Sequence, residues 1–165
     1  MPTKNLLQAI QPPPSPPSAS ADGVKLTIAQ FEWWNAGKWA KSLITDPNSV
    51  SLSEVRLSDR ALTVTFDSAV VPSQMLVSVF DSVDAQGLPT SQTGRIIDCL
   101  RSGLCEVTPG RESLTVRIRN LRSAKIVVFR LAYVHAGPPD STGTPAPPIM
   151  LSASWALRIT APAEG

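Results

Sequence analysis

From Ile149 to Ile159, apolar residues occupy every odd position: Ile149, Leu151, Ala153, Trp155, Leu157 and Ile159. The even positions from Ser152 onward (Ser152, Ser154, Ala156, Arg158, Thr160) are small or polar. Side chains of a strand alternate between two faces, whereas those of a helix return to one face every three or four residues. This stretch therefore predicts a β-strand with one face buried. The same alternation returns at Val24-Leu26-Ile28, Leu62-Val64-Phe66, Met75-Val77-Val79 and Leu114-Val116-Ile118. Lys125 to Val134 differs, because Ile126, Val127, Val128 and Phe129 are apolar on both parities. That pattern predicts a central strand covered on both sides.

Turn signals separate these runs: Asp46-Pro47-Asn48-Ser49, Ser58-Asp59-Arg60, Asp84-Ala85-Gln86-Gly87 and Thr108-Pro109-Gly110-Arg111. Val50 to Leu57 reads as a strand whose apolar phase slips between Leu52 and Val55, the mark of a bulge. Gly137 to Pro148 reads as a long polar loop. About eight to ten short strands between turns define an all-β chain folded as an antiparallel β-sandwich. Residues 1–22 end in Gln-Pro-Pro-Pro-Ser-Pro-Pro-Ser-Ala-Ser-Ala-Asp, a composition that favours extended, solvated backbone. We expect a disordered Pro/Ser-rich arm or linker over 1–22 and one sandwich domain over 23–162.

Trp33, Trp34 and Trp39 fall within seven residues, around Asn35-Ala36-Gly37-Lys38. A hairpin turn there sets Trp34 and Trp39 across from each other. A short helix from Trp33 to Ile44 is the competing reading, and Gly37 weighs against it. On a sheet face the three indoles are candidate ligand-binding residues, a flat platform for sugar rings. Adjacent Trp33 and Trp34 must point to opposite faces of a strand, however, so one of them belongs to the core. Cross-strand packing is the simpler use of these indoles.

Net charge is +2, with −2 over residues 1–90 and +4 over 91–165. The basic excess is local: Arg117, Arg119, Arg122, Lys125 and Arg130. Arg117 and Arg119 share one strand face and are candidate anion-binding residues, for phosphate or a polyanionic glycan. No aromatic residues interleave with them for base stacking, so no specific nucleic-acid signal arises.

Cys99 and Cys105 enclose Leu-Arg-Ser-Gly-Leu, a turn-forming sequence, and are expected to form a disulfide across a short hairpin. Such a bond points to an oxidising compartment. Two cysteines and a single histidine fall short of four tetrahedral ligands, so neither a metal nor any other cofactor is expected. His135 is that histidine, at a strand end. The sequence holds no Gly-x-Ser-x-Gly elbow, no His-Glu-x-x-His and no glycine-rich phosphate loop. The carboxylates Glu54, Asp67, Asp81 and Asp84 sit in turns or beside them, where acidic residues are ordinary. These features together predict a protein that is not an enzyme.

No run reaches the ~18 apolar residues of a membrane-spanning helix. The opening decapeptide is too polar for a secretory leader. That leaves two settings open: the cytosol, or export directed by a signal outside these residues.

Three segments carry a resemblance. Asp46-Pro47-Asn48-Ser49-Val50-Ser51-Leu52 precedes Arg60-Ala61-Leu62-Thr63-Val64-Thr65-Phe66-Asp67-Ser68-Ala69-Val70-Val71-Pro72-Ser73, and Ser154-Trp155-Ala156-Leu157-Arg158-Ile159-Thr160 closes the domain. Over about residues 46–160 the chain resembles a bacterial Ig-like domain of the type found in S-layer and other surface proteins. The resemblance implies an Ig-like sandwich acting as a non-catalytic structural or interaction module, with a protein or glycan partner at the cell surface. An extracytoplasmic location follows from it, and no functional residue is carried over. Two alternatives compete: a carbohydrate-binding module using Trp33, Trp34 and Trp39, and a phage or viral assembly or decoration protein.

Overall fold

The computed structural model describes residues 12–35, 38–42, 52–57, 60–85, 89, 94–121, 123–135, 141–144 and 147–160. Twelve strands form two sheets, and their inner faces meet in one core. The smaller sheet has the order β2 (Val24–Lys25), β1 (Ala19–Ala21), β6 (Leu62–Phe66), β10 (Leu114–Ile118) and β9 (Cys105–Pro109), all antiparallel. The larger runs β4 (Lys38–Ser42), β3 (Thr27–Asn35), β12 (Ile149–Thr160), β11 (Ile126–His135), β7 (Gln74–Phe80), β8 (Arg95–Asp98). A seventh strand, β5 (Ser53–Arg56), lies parallel to the end of β12, with Leu157 level with Ser53 and Thr160 with Arg56. The sandwich architecture expected from alternation is therefore present.

The alternating stripes are the core. Leu62, Val64, Phe66, Leu114, Val116 and Ile118 line the smaller sheet, and Met75, Val77, Val79, Leu151, Trp155 and Leu157 the larger, all fully or nearly fully buried. Across the gap, Phe66 meets the neighbours Phe129 and Trp155 edge to face, at ring-centre distances of 6.1 and 5.2 Å. Such aromatic contacts add about 0.5–1.5 kcal/mol each beyond burial. The indole Nε1 of Trp155 is buried and has no hydrogen-bond partner among the described residues. β11 lies between β12 and β7, the central position that its two-sided apolar start demands.

Three expectations need correction. The sandwich begins at Ala19, inside the stretch read as a disordered arm. Ala19 and Ala21 are small enough to lie beside Phe66 and Val64 of β6, and both are buried. Asp22 and Gly23, at φ 50° and 76°, make a two-residue turn into β2; Asp-Gly is a standard signal for such a turn. The preceding prolines are anchored as well. Trp33 Nε1 donates to the Pro13 carbonyl at 2.9 Å, Ser18 N donates to Asp67 Oδ1 at 2.6 Å, and Asp67 N donates back to Ser18 O at 3.0 Å.

The cysteines do not belong to a hairpin. Cys99 follows β8 of the larger sheet and Cys105 opens β9 of the smaller, so the disulfide (Cα–Cα 5.0 Å) closes a crossover between the two sheets. The Asp98 carbonyl receives Ser102 N at 2.7 Å within that loop, which turns the chain back without strand pairing. The bulge expected between Leu52 and Val55 does not appear in β5, whose register with β12 is unbroken from Ser53 to Arg56; a register shift lies instead between β12 and β3, at Ser154/Trp155. Val50 and Ser51, the turn residues Ala36 and Gly37, and half of the 137–148 loop lie outside the described residues.

Candidate functional site

Alternation that buries Trp33 must turn its neighbour outward. Trp33 is 1% exposed and stacks edge to face on Tyr133 at 5.6 Å. Burial, and secondarily the Asp67 carboxylate, push the Tyr133 phenol above its ordinary pKa. Trp34 faces out and lies directly across from Trp39, with ring centres 5.5 Å apart. The β3–β4 hairpin thus takes the place of the competing helix. Of the three candidate sugar-binding indoles, the structure brings together Trp34 and Trp39 and assigns Trp33 to the core. The pair is tilted by 60°, so the indoles form a wedge and not the flat platform expected.

Other apolar side chains share this face. Ser152 of β12 lies opposite Glu32 of β3, where that ladder ends, and Met150, two residues on, has the same outward parity as Trp34. Met150 pairs with Val134 of β11. Trp39, Trp34, Met150 and Val134 therefore all lie on the outer face of the larger sheet. Trp39, Met150 and Val134 are 52%, 55% and 44% exposed, and Trp34 is half-buried. The next row is polar, with Lys41 bridged to Glu32 at 3.5 Å and Ser152 beside them. β4 is an edge strand with all five residues exposed. Single exposed apolar side chains are ordinary, but a group of them on one face marks a contact surface.

The basic residues do not converge. Arg117 and Arg119 flank the outer side of β10 in the smaller sheet, where Arg119 Nη2 pairs with Glu106 Oε2 at 2.9 Å and Arg117 lies opposite Glu106 in register. Arg130 is on the outer face of the other sheet, and Arg122 lies outside the described residues. The run that is continuous in sequence is divided between opposite sides of the sandwich.

The candidate acids and the histidine are dispersed as well. Asp67 is held by Ser18, Asp81 accepts from Ser123 Oγ at 3.3 Å, and Glu54 is an exposed residue of β5. His135 ends β11 opposite Ile149. Among the described residues no group of three His, Cys, Asp or Glu is placed to hold a metal ion. An open depression on the smaller sheet is lined by Ser18, Ser20, Lys25, Thr65, Asp67 and Glu112. The Asp67 carboxylate in it is already engaged by Ser18.

Met150 and Val134 escaped sequence reasoning. Met150 is a lone large apolar residue on the polar parity of β12, Val134 ends a strand that is apolar on both parities, and only the pairing of strands far apart in sequence brings them to the face that carries Trp34 and Trp39. No helix of the described residues is long and apolar enough to cross a membrane. Comparison with known proteins gives no matching family model, no matching curated protein and no matching solved structure.

Proposed function

We propose that the chain is a non-catalytic interaction module, Ig-like in character, that works outside the reducing cytoplasm, with a bacterial surface or secreted protein as its setting. The outer apolar residues carry this reading. The outer face of the larger sheet is covered at Ile126, Ala132 and Ala156, but Met150, Val134 and Trp39 on that same face are exposed. Exposing them to water offers the fold nothing, so a contact made in the working state accounts for them. The disulfide supports the setting, since cross-links of this kind persist in oxidising compartments.

The test is site-specific photo-crosslinking in cells that express the chain. A crosslinker at position 150 should trap a partner, and one at position 115, on the opposite outer face, should not. Equal trapping from both positions, or none from 150, contradicts the proposal.

A further inference from the structure

We infer that the outer face of the larger sheet packs against the same face of a second copy of this chain, an inference that rests on the interaction-module reading and names its partner. The first observation is how far the apolar surface extends. Ile96 of β8 lies beside Ser78 of β7, and Ser78 beside Val128 of β11, which pairs in turn with Ala156 of β12. Leu76 and Phe80 take the outward positions of β7 on either side of Ser78. Ile96 is 61% exposed, and Leu76, Phe80 and Val128 are half-buried. With the pairs Val134–Met150 and Trp34–Trp39, apolar side chains reach from one edge strand of the sheet to the other.

The second observation is size. Five inter-strand spacings of about 4.8 Å, and the ten residues of β11 at about 3.3 Å each, give a face on the order of 800 Å². That is about the area each partner contributes to a stable protein interface. Sheets pack face to face when their twists match, and an identical copy supplies that match. The edge offers less. β4 carries Lys38 and Lys41, and charged edge strands resist edge-to-edge pairing.

The third is self-complementarity. The outward charges are mixed: Glu32 faces Lys41 at 3.5 Å, Arg158 lies level with Glu54, and Asp98 and Arg130 flank Leu76. Arg56 adds one cation at the end of β5. A face so balanced can meet its own copy without strong repulsion. The strand order β4-β3-β12-β11-β7-β8 has the β12–β11 seam at its centre. A two-fold axis along that seam lays β12 of one copy on β11 of the other, β3 on β7 and β4 on β8, the reciprocal contact that such symmetry requires. Met150 of each copy then meets Val134 of the other, and Lys41 comes within one row of Asp98. Arg130 makes no ion pair among the described residues, and the same axis brings it within one strand and one row of the other copy's Glu32.

The experiment uses the full chain. Sedimentation equilibrium should show a reversible dimer at micromolar concentration. Met150→Lys and Ile96→Asp should each weaken it tenfold or more, whereas Thr115→Lys, on the smaller sheet, should leave it unchanged. Unchanged unfolding in the dilute, monomeric range shows that each variant folds. A photo-crosslinker at position 150, in a mixture of isotope-labelled and unlabelled chains, should join the two kinds of chain, and mass spectra should place the attachment on β11 near Val134.

A chain that stays monomeric at hundreds of micromolar overturns the inference, as does a dimer that survives both Met150→Lys and Ile96→Asp, or crosslinks that land on the smaller sheet. If the chain is monomeric while position 150 traps a different protein in cells, the second copy is excluded and the interaction module stands. If position 150 traps nothing in cells, the module reading fails on its own test.

Discussion

Ser20, Thr65, Thr115 and Thr108 fall in one row across the outer face of the smaller sheet, with Arg117 and Glu106 beside them. The outer face of the larger sheet carries Trp39 paired with Trp34 and Met150 paired with Val134. Turned inward, the two sheets are equivalent: each presents a closed layer of aliphatic and aromatic side chains, and Phe66 of one rests on Phe129 and Trp155 of the other. Hydroxyls and charges satisfy the solvent side of a half-buried sheet, as the smaller sheet demonstrates. The exposed apolar residues of the larger sheet are therefore not a requirement of the fold. The comparison assigns stability to what the sheets share and binding to what they do not.

The shared part breaks first. Phe66→Ala and Phe129→Ala each remove a fully buried ring from the same aromatic contact, and each should cost about 3–5 kcal/mol in urea unfolding. If one is tolerated and the other is not, the inner faces are not equivalent. The disulfide ties the two sheets together at the β8–β9 crossover. Cys99→Ser with Cys105→Ser should lower stability by about 2 kcal/mol, the chain-entropy value for so short a loop.

Tyr133 provides a pH-dependent probe of the larger sheet's inner side. In the folded chain burial holds its phenol protonated beyond the ordinary value near 10, whereas the unfolded chain releases the proton there. The unfolded state thus binds fewer protons above pH 10, and stability falls as pH rises, by about 1.4 kcal/mol per unit from this group. Below pH 10 its contribution is constant. Tyr133→Phe should remove that part of the alkaline slope in a series of unfolding curves, and an unchanged slope would refute the assignment. The smallest stability effect is expected outside. Thr115→Lys and Met150→Lys should each shift stability by less than about 0.5 kcal/mol, while only the second abolishes crosslinking from the adjoining row.

Sequence alone disclosed what depends on neighbours within one strand. The stripes of β6, β7, β10 and β12 and the two-sided burial of β11 were all readable from periodicity, because side-chain direction follows residue parity. That Trp33 and Trp34 point to opposite faces was readable for the same reason; which of them is buried was not. The placement of β5 parallel to β12 was not, since no local pattern encodes which distant edge a short strand joins. Asp22-Gly23 was a legible hairpin signal, obscured by the proline-rich composition ahead of it. The disulfide was legible, but its crossover role was not, because a seven-residue span fits a hairpin and a crossover equally well. The apolar face demanded two registers at once, Glu32 with Ser152 and Val134 with Met150, and both pair residues from distant parts of the chain.

Backbone amide shifts of the isotope-labelled chain, recorded during titration with the partner trapped by the crosslinker at position 150, test the division of labour most directly. The account predicts perturbations confined to the outward residues of the larger sheet, Trp34, Trp39, Val134 and Met150 among them. Perturbations centred on Thr65, Thr115 and Arg117 would place binding on the opposite face and contradict it.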